Sequence, residues 1–373
     1  MIRIIDEGVL YRNPKPDLRA VHACYPSIQP LSDTEYLCTY QRGQAFCSAD
    51  GRVAQLRSTD SGKTWVEDGY VWDTSKDALP YSYRGAGMSR LSDGTILLLT
   101  QRFDRSDPEL QLWNPATDGM LFPEMLVFRT IDGGHNWSNP EPVKLPAGLI
   151  GCSLANIFEL DDGTLMLPFE TWKGYDDPGP LTHEAMALFS TDRGVTWGEP
   201  VLMFDGIAEG VFYWDARLAK LGNNRLFSAS WTHTRDTDRD LSIHLHHSED
   251  NGHTWSASAA TGLNGQVCWP VNLGNDRILL LYNRRYKERP GIMAVLTEDG
   301  GESWDTENQI MVWDAAGQGN VGAARNEGEM ADMTTFAFGR PEAVLLPDGD
   351  IMASFWCTGS CITQVRWCRL RVE

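Results

Sequence analysis

The chain of 373 residues is 42% hydrophobic and carries 51 Asp and Glu against 32 Lys and Arg, a formal net charge of −19. That balance argues against a nucleic-acid backbone or an anionic membrane surface as partner, so any acidic ligand needs a local arginine cluster working against the overall field. Length alone allows two or three domains, but a repeat running through the chain argues for one domain over residues 1–373.

The opening residues, Met1-Ile2-Arg3-Ile4-Ile5-Asp6-Glu7, lack the apolar core of a signal peptide. No run approaches the ~18 apolar residues of a membrane span. Eight cysteines are scattered at strand-like positions without a CxxC pair, which reads as buried thiols in a reducing cytosol. Cytoplasmic localisation, no metal and no cofactor are therefore expected.

From Ser58 onward one pattern returns five times, Ser/Thr-x-Asp-x-Gly-x-x-Trp, at Ser58–Trp65, Thr130–Trp137, Ser190–Trp197, Ser248–Trp255 and Thr297–Trp304. An Asp closing a turn on backbone N–H groups, a Gly with positive φ and a Trp folded back as an apolar plug make a hairpin turn with its own small core. In phase with it, six Asp-, Asn- or Gly-rich turns separate pairs of apolar strands, at Ser32–Glu35, Ser92–Gly94, Asp161–Gly163, Gly222–Asn224, Gly274–Asp276 and Pro347–Gly349. Box tryptophans are 72, 60, 58 and 49 residues apart, near the ~40–50 residues of a four-stranded propeller blade plus loops. Each module reads as strand, turn, strand, loop, strand, box, strand. Six modules predict an all-β, six-bladed propeller. The last module has no box, so the strand-like Ile2–Tyr11 is expected to complete it and close the ring. Extra length at Phe103–Glu124, Lys173–Leu181 and Asp305–Phe336 is read as loops.

These boxes resemble the Asp boxes, or BNR repeats, of the sialidase superfamily, and the resemblance covers nearly the whole chain. It implies a site at one end of a central channel, with the boxes structural and away from it. It also allows a residue-by-residue comparison. Where the family's first arginine opens the first inner strand in a Phe-Arg-Ile-Pro stretch, this chain has Ala23-Cys24-Tyr25-Pro26. Asp50 fits the place of the general acid. The glutamate that activates the nucleophile corresponds to Asp215, and the nucleophilic tyrosine to Arg340. The second arginine falls near Trp231, with His233 and Arg235 beyond it, and the third matches Arg289. The resemblance thus implies a sialidase scaffold with a different site.

Blade-opening positions supply the candidates, because inner strands point their first residues into the channel. Asp50, Asp215, Glu342 and His22 are the expected catalytic groups. Arg84, Arg217, Arg289, Arg340, Tyr25, Trp214 and His233 are the expected substrate contacts; Asn156, Glu170, Trp172, Gln266, Trp269 and Arg284 share those opening or hairpin-end positions. Carboxylates move protons, arginine forks clamp carboxylates or hydroxyl pairs, and flat aromatics stack on sugar rings. The leading expectation is an exo-acting glycoside hydrolase on a small acidic or polyhydroxylated saccharide, not a standard sialidase. One alternative is a uronate-directed lyase, with His22, Tyr25 or His233 as the base. The other is a non-catalytic sugar-binding propeller.

Overall fold

The structure, a computed structural model, describes residues 1–153, 155–237, 239–317, 336–360 and 362–373. Six antiparallel sheets stand around a ring as six blades. Blade one is His22–Pro30, Tyr36–Gly43, Arg52–Ser58 and Val66–Tyr70, and the others repeat its inner-to-outer order. Blade six runs Phe338–Leu345, Ile351–Gly359 and Ile362–Val372, and its fourth strand is Ile2–Arg12 from the start of the chain, paired Ile2 with Val372 and Arg12 with Gln364. The expected closure is observed. Met1 N and Glu373 O are 2.7 Å apart, and Glu373 N donates back to Met1 O at 2.9 Å.

Unbroken apolar runs make second strands because both of their faces are covered. In blade five, Ile278, Leu280 and Tyr282 pack with Phe227, Ala229 and Leu245 of blade four, while Leu279 and Leu281 pack with Ile351 and Phe355 of blade six. The hydrophobic core therefore lies between blades. Within the stretch 305–336 the strand Ile310–Asp314 forms the outer edge of blade five, so that part of the expected loop is corrected. The acidic tract 327–332 lies outside the described residues.

The repeated boxes form tight turns of one design. In the first, Asp60 accepts from Thr64 N at 2.8 Å and Thr64 Oγ1 at 2.7 Å, Gly62 at φ +86° donates to Ser58 Oγ, and Trp65 Nε1 folds back onto Gly62 O at 2.8 Å. Asp132, Asp192 and Asp299 make the same bonds to the residue four ahead. Those donors hold Asp60, Asp132, Asp192 and Asp299 down at about 2.

Strand direction separates the two ends of the ring. First-to-second-strand turns and boxes share one end. Second-to-third-strand and blade-to-blade loops share the other, where the long segments 105–123, 173–184 and 235–243 lie. No helix among the described residues is long and apolar enough to cross a membrane.

Candidate functional site

Four innermost strands are interrupted near the loop end by a bulge at the same step. Pairing skips from Cys24 to Ser27, Arg84 to Gly87, Trp214 to Arg217 and Gly339 to Glu342. At the first skipped position Tyr25 and Asp215 have φ +53°, Arg340 has +34° and Gly85 +81°. A bulge turns one extra side chain out of the alternation and twists the strand, and a bulky residue at positive φ costs about 1–3 kcal/mol. Blades one, four and six use that position for Tyr25, Asp215 and Arg340.

Arg84 Nη2 donates to the Tyr25 hydroxyl at 2.8 Å. Its guanidinium lies 4.7 Å from the centre of the Trp113 ring, 5.3 Å from Phe46 and 5.4 Å from Tyr25. The Arg340 guanidinium sits 5.5 Å from the centre of the same Tyr25 ring and donates to Glu342 at 3.0 Å. Arg217 pairs with Asp215. Arg285, from the loop after the second strand of blade five, donates to Phe338 O at 3.0 Å and lies 3.9 Å from the Phe336 ring. All four arginines are buried, and among the described residues the Nε of Arg84 and Arg217 and both Nε and Nη1 of Arg340 have no partner. Burial, opposed by Glu342 but reinforced by the Arg217 charge, lowers the Arg340 pKa.

Two carboxylates face this cluster in unlike surroundings. The inner strand of blade three is split into Ile150–Cys152 and Phe158–Glu159, and Glu170, near the loop end of the second strand, is paired with Cys152 of the first piece. Glu170 accepts from the backbone N of Asp215. Burial and the neighbouring Asp215 charge push it up to about 8, so near neutral pH it keeps its proton. Asp215 beside it is held by Arg217. A protonated carboxyl next to an arginine-paired carboxylate is an acid and a base in waiting.

Glu342, expected as an acid, is instead 3% exposed and fully engaged by Arg340, Ser27 and Asn156. Its role in the geometry is to hold Arg340. Asp50 is exposed and accepts from Gln44 N of its own loop. Arg289 is exposed at a hairpin tip with φ +52°, and the arginine that blade five sends inward is Arg285. His22 packs against Phe46 and Trp356, near Thr363 Oγ1 at 3.2 Å, and burial lowers it to about 4. Trp214 and His233 are buried and stacked on each other at 5.2 Å and 8°, so they form wall and not contact surface. Tyr25, Arg84, Asp215, Arg217 and Arg340 are the predicted residues that the fold brings together. Glu170, expected at a hairpin end, joins them, and so does Arg285, which was not among the expected residues and could have been found from its alternation with Leu279, Leu281 and Asn283 on one strand face.

A ring of six blades whose loop end gathers buried arginines and two carboxylates is a sialidase-like propeller with a polar, arginine-rich centre. Residues 112–316 match the family described as "BNR repeat-like domain", and the chain belongs to that family, within the sialidase superfamily. It is 28% identical over 166 residues to a sialidase of Vibrio cholerae serotype O1, covering 41% of this chain; it spans 20% of the length of the curated relatives it matches. A solved protein of unknown function from Dyadobacter fermentans superposes with TM-score 0.74 at 20% identity, covering 100% of this chain and 99% of that one. An alpha-L-arabinanase from Penicillium chrysogenum, complexed with arabinobiose, superposes with TM-score 0.65 at 13% identity and 98% coverage of both chains.

Proposed function

We propose that this protein is a carbohydrate-active enzyme, a glycoside hydrolase that takes a small acidic or polyhydroxylated saccharide from a chain end. The observation that carries the reading is the convergence of four buried arginines, Arg84, Arg217, Arg285 and Arg340, on a pair of carboxylates, Glu170 and Asp215, with N–H groups of Arg84, Arg217 and Arg340 left without a partner among the described residues. Buried guanidinium donors call for an anionic or hydroxyl-rich partner. Glu170, protonated, donates to the leaving oxygen; Asp215 acts on the opposite side as base or nucleophile. The likeness to a sialidase and to an arabinanase supports a glycoside as substrate. No tyrosine stands at the blade-six position of the family's nucleophile, so a fluorogenic sialoside should be left uncleaved. The test is hydrolysis of a panel of uronosides and arabinosides, with the anomeric product followed by NMR and with Glu170→Gln and Asp215→Asn as controls. A panel left intact by the wild type, or hydrolysis unaffected by both substitutions, overturns the reading.

The bond between Arg84 and the Tyr25 hydroxyl favours a second reading, a uronate lyase in which Tyr25, ionised to the phenolate that Arg84 stabilises against the burial raising its pKa, takes the C5 proton while the other arginines neutralise the carboxylate. Product with ultraviolet absorbance from a new C=C bond selects it.

A further inference from the structure

We infer that Asp240 sets the direction of the Arg285 guanidinium by fixing which way the Gln266 amide faces, and so acts as a positioning residue for the anion-binding centre. Asp240 lies in the loop after the second strand of blade four. Among the described residues four donors converge on its carboxylate. Oδ1 accepts from Trp231 Nε1 at 2.7 Å and is 3.0 Å from His233 Nδ1; Oδ2 accepts from the Tyr286 hydroxyl at 2.9 Å and from Gln266 Nε2 at 3.2 Å.

Gln266, at the entrance to the inner strand of blade five, is 4% exposed. Its Oε1 accepts from Arg285 Nη1 and from Asn283 Nδ2, each at 3.3 Å. A carboxylate can only accept and a guanidinium can only donate. One amide orientation alone serves both neighbours, with NH2 to Asp240 and C=O to Arg285. The relay runs from blade four through blade five to Phe338 of blade six, where Arg285 Nε is anchored. Nothing in it repeats from blade to blade, unlike the boxes.

The geometric claim stands by itself; the consequence for ligand binding rests on the reading of the arginines given above. In Asp240→Asn the side chain cannot accept on both edges. With its oxygen kept on Trp231 and His233, its NH2 faces Gln266, the Gln266 amide turns over, and two donors meet at Arg285. The double variant Asp240→Asn/Gln266→Glu restores the pattern: the introduced amide donates to the introduced carboxylate, and that carboxylate accepts from Arg285.

The experiment records the Arg285 15N guanidinium resonance and a crystal structure for wild type, Asp240→Asn and the double variant. Calorimetric titration with glucuronate and galacturonate runs alongside, with glucose as the uncharged control. The expected result is a displaced Arg285 and uronate binding weakened about tenfold or more in Asp240→Asn, the loss of one charge-assisted hydrogen bond, with both recovered in the double variant. An Arg285 that stays in place in Asp240→Asn, or stays displaced in the double variant, overturns the inference. A wild type that binds neither uronate overturns the anion reading instead, and the resonance still decides the role of Asp240.

Discussion

The two ends of the ring are made by the same strands and use charged groups in opposite ways. At the box end, each aspartate is exposed or half-exposed and satisfied by neighbours within four residues of itself. At the loop end, half-buried Glu170 and Asp215 and four buried arginines come from five blades, and among the described residues some of the arginine donors are without partners. Local, repeated and satisfied polar groups stabilise turns. Distant, unrepeated and unsatisfied ones mark where a ligand belongs. The acid–base behaviour differs too. Box aspartates sit below their ordinary value because their charged form is hydrogen-bonded, whereas Glu170 sits above its own because burial and Asp215 disfavour the charge.

The largest effect that would break this contrast is catalytic. Glu170→Gln should lower hydrolysis by about 10²–10⁴-fold with little change in melting temperature, while Asp192→Ala leaves turnover per folded molecule unchanged. Steady-state rates on purified, folded variants check both halves. Next comes the hidden pair in the channel. Glu342→Gln leaves Arg340 charged, buried and unpaired, and should cost about 3–5 kcal/mol in denaturant unfolding.

A pH series then sharpens the comparison. With a folded value raised to about 8, Glu170 supplies its proton at neutral pH, and activity should fall as pH climbs through about 8; Glu170→Gln abolishes that limb. The stability that its protonated form contributes is likewise present in acid and lost on the same rise. The box aspartates run the other way. Their contribution is complete above the ordinary value of 3.8 and disappears as pH falls through about 2, so thermal stability measured down the acid range should drop between those limits and drop less in Asp132→Asn. The smallest effect concerns His246, stacked 3.7 Å from Phe204 with neither ring nitrogen bonded among the described residues. His246→Phe should change unfolding free energy by less than about 1.5 kcal/mol, since a buried imidazole without partners gains nothing from its nitrogens.

Blade number, strand order and ring closure were legible because they rest on a repeat: each box carries its own turn chemistry, and each apolar run needs two covered faces. The centre was legible in part. Asp215 and Arg340 were reached by counting from the turns, and both sit at the same bulge. The count that led to Arg289 failed for a related reason. Between Arg284 and Gly291 the chain turns through a hairpin loop, so a fixed offset from the box lands on an exposed tip while Arg285, four residues earlier, points inward. Bulges break the period-two rule at the positions where side chains leave the sheet. Glu170 was reached as a hairpin-end position of blade three, but its bond to the Asp215 backbone crosses between blades, and no local pattern in the sequence announces that.

The join between Ile2–Arg12 and Ile362–Val372 has a consequence for how the molecule is made. A strand synthesised ahead of all six blades must wait through their translation before its partner exists. During that time the apolar side chains that will be buried, Ile2, Leu10 and Tyr11, remain open to other contacts. Sequence separation of this size makes the last step of assembly slow and exposed to mispairing. The outer strand of blade six therefore takes its place only after the last strand of the chain has been made.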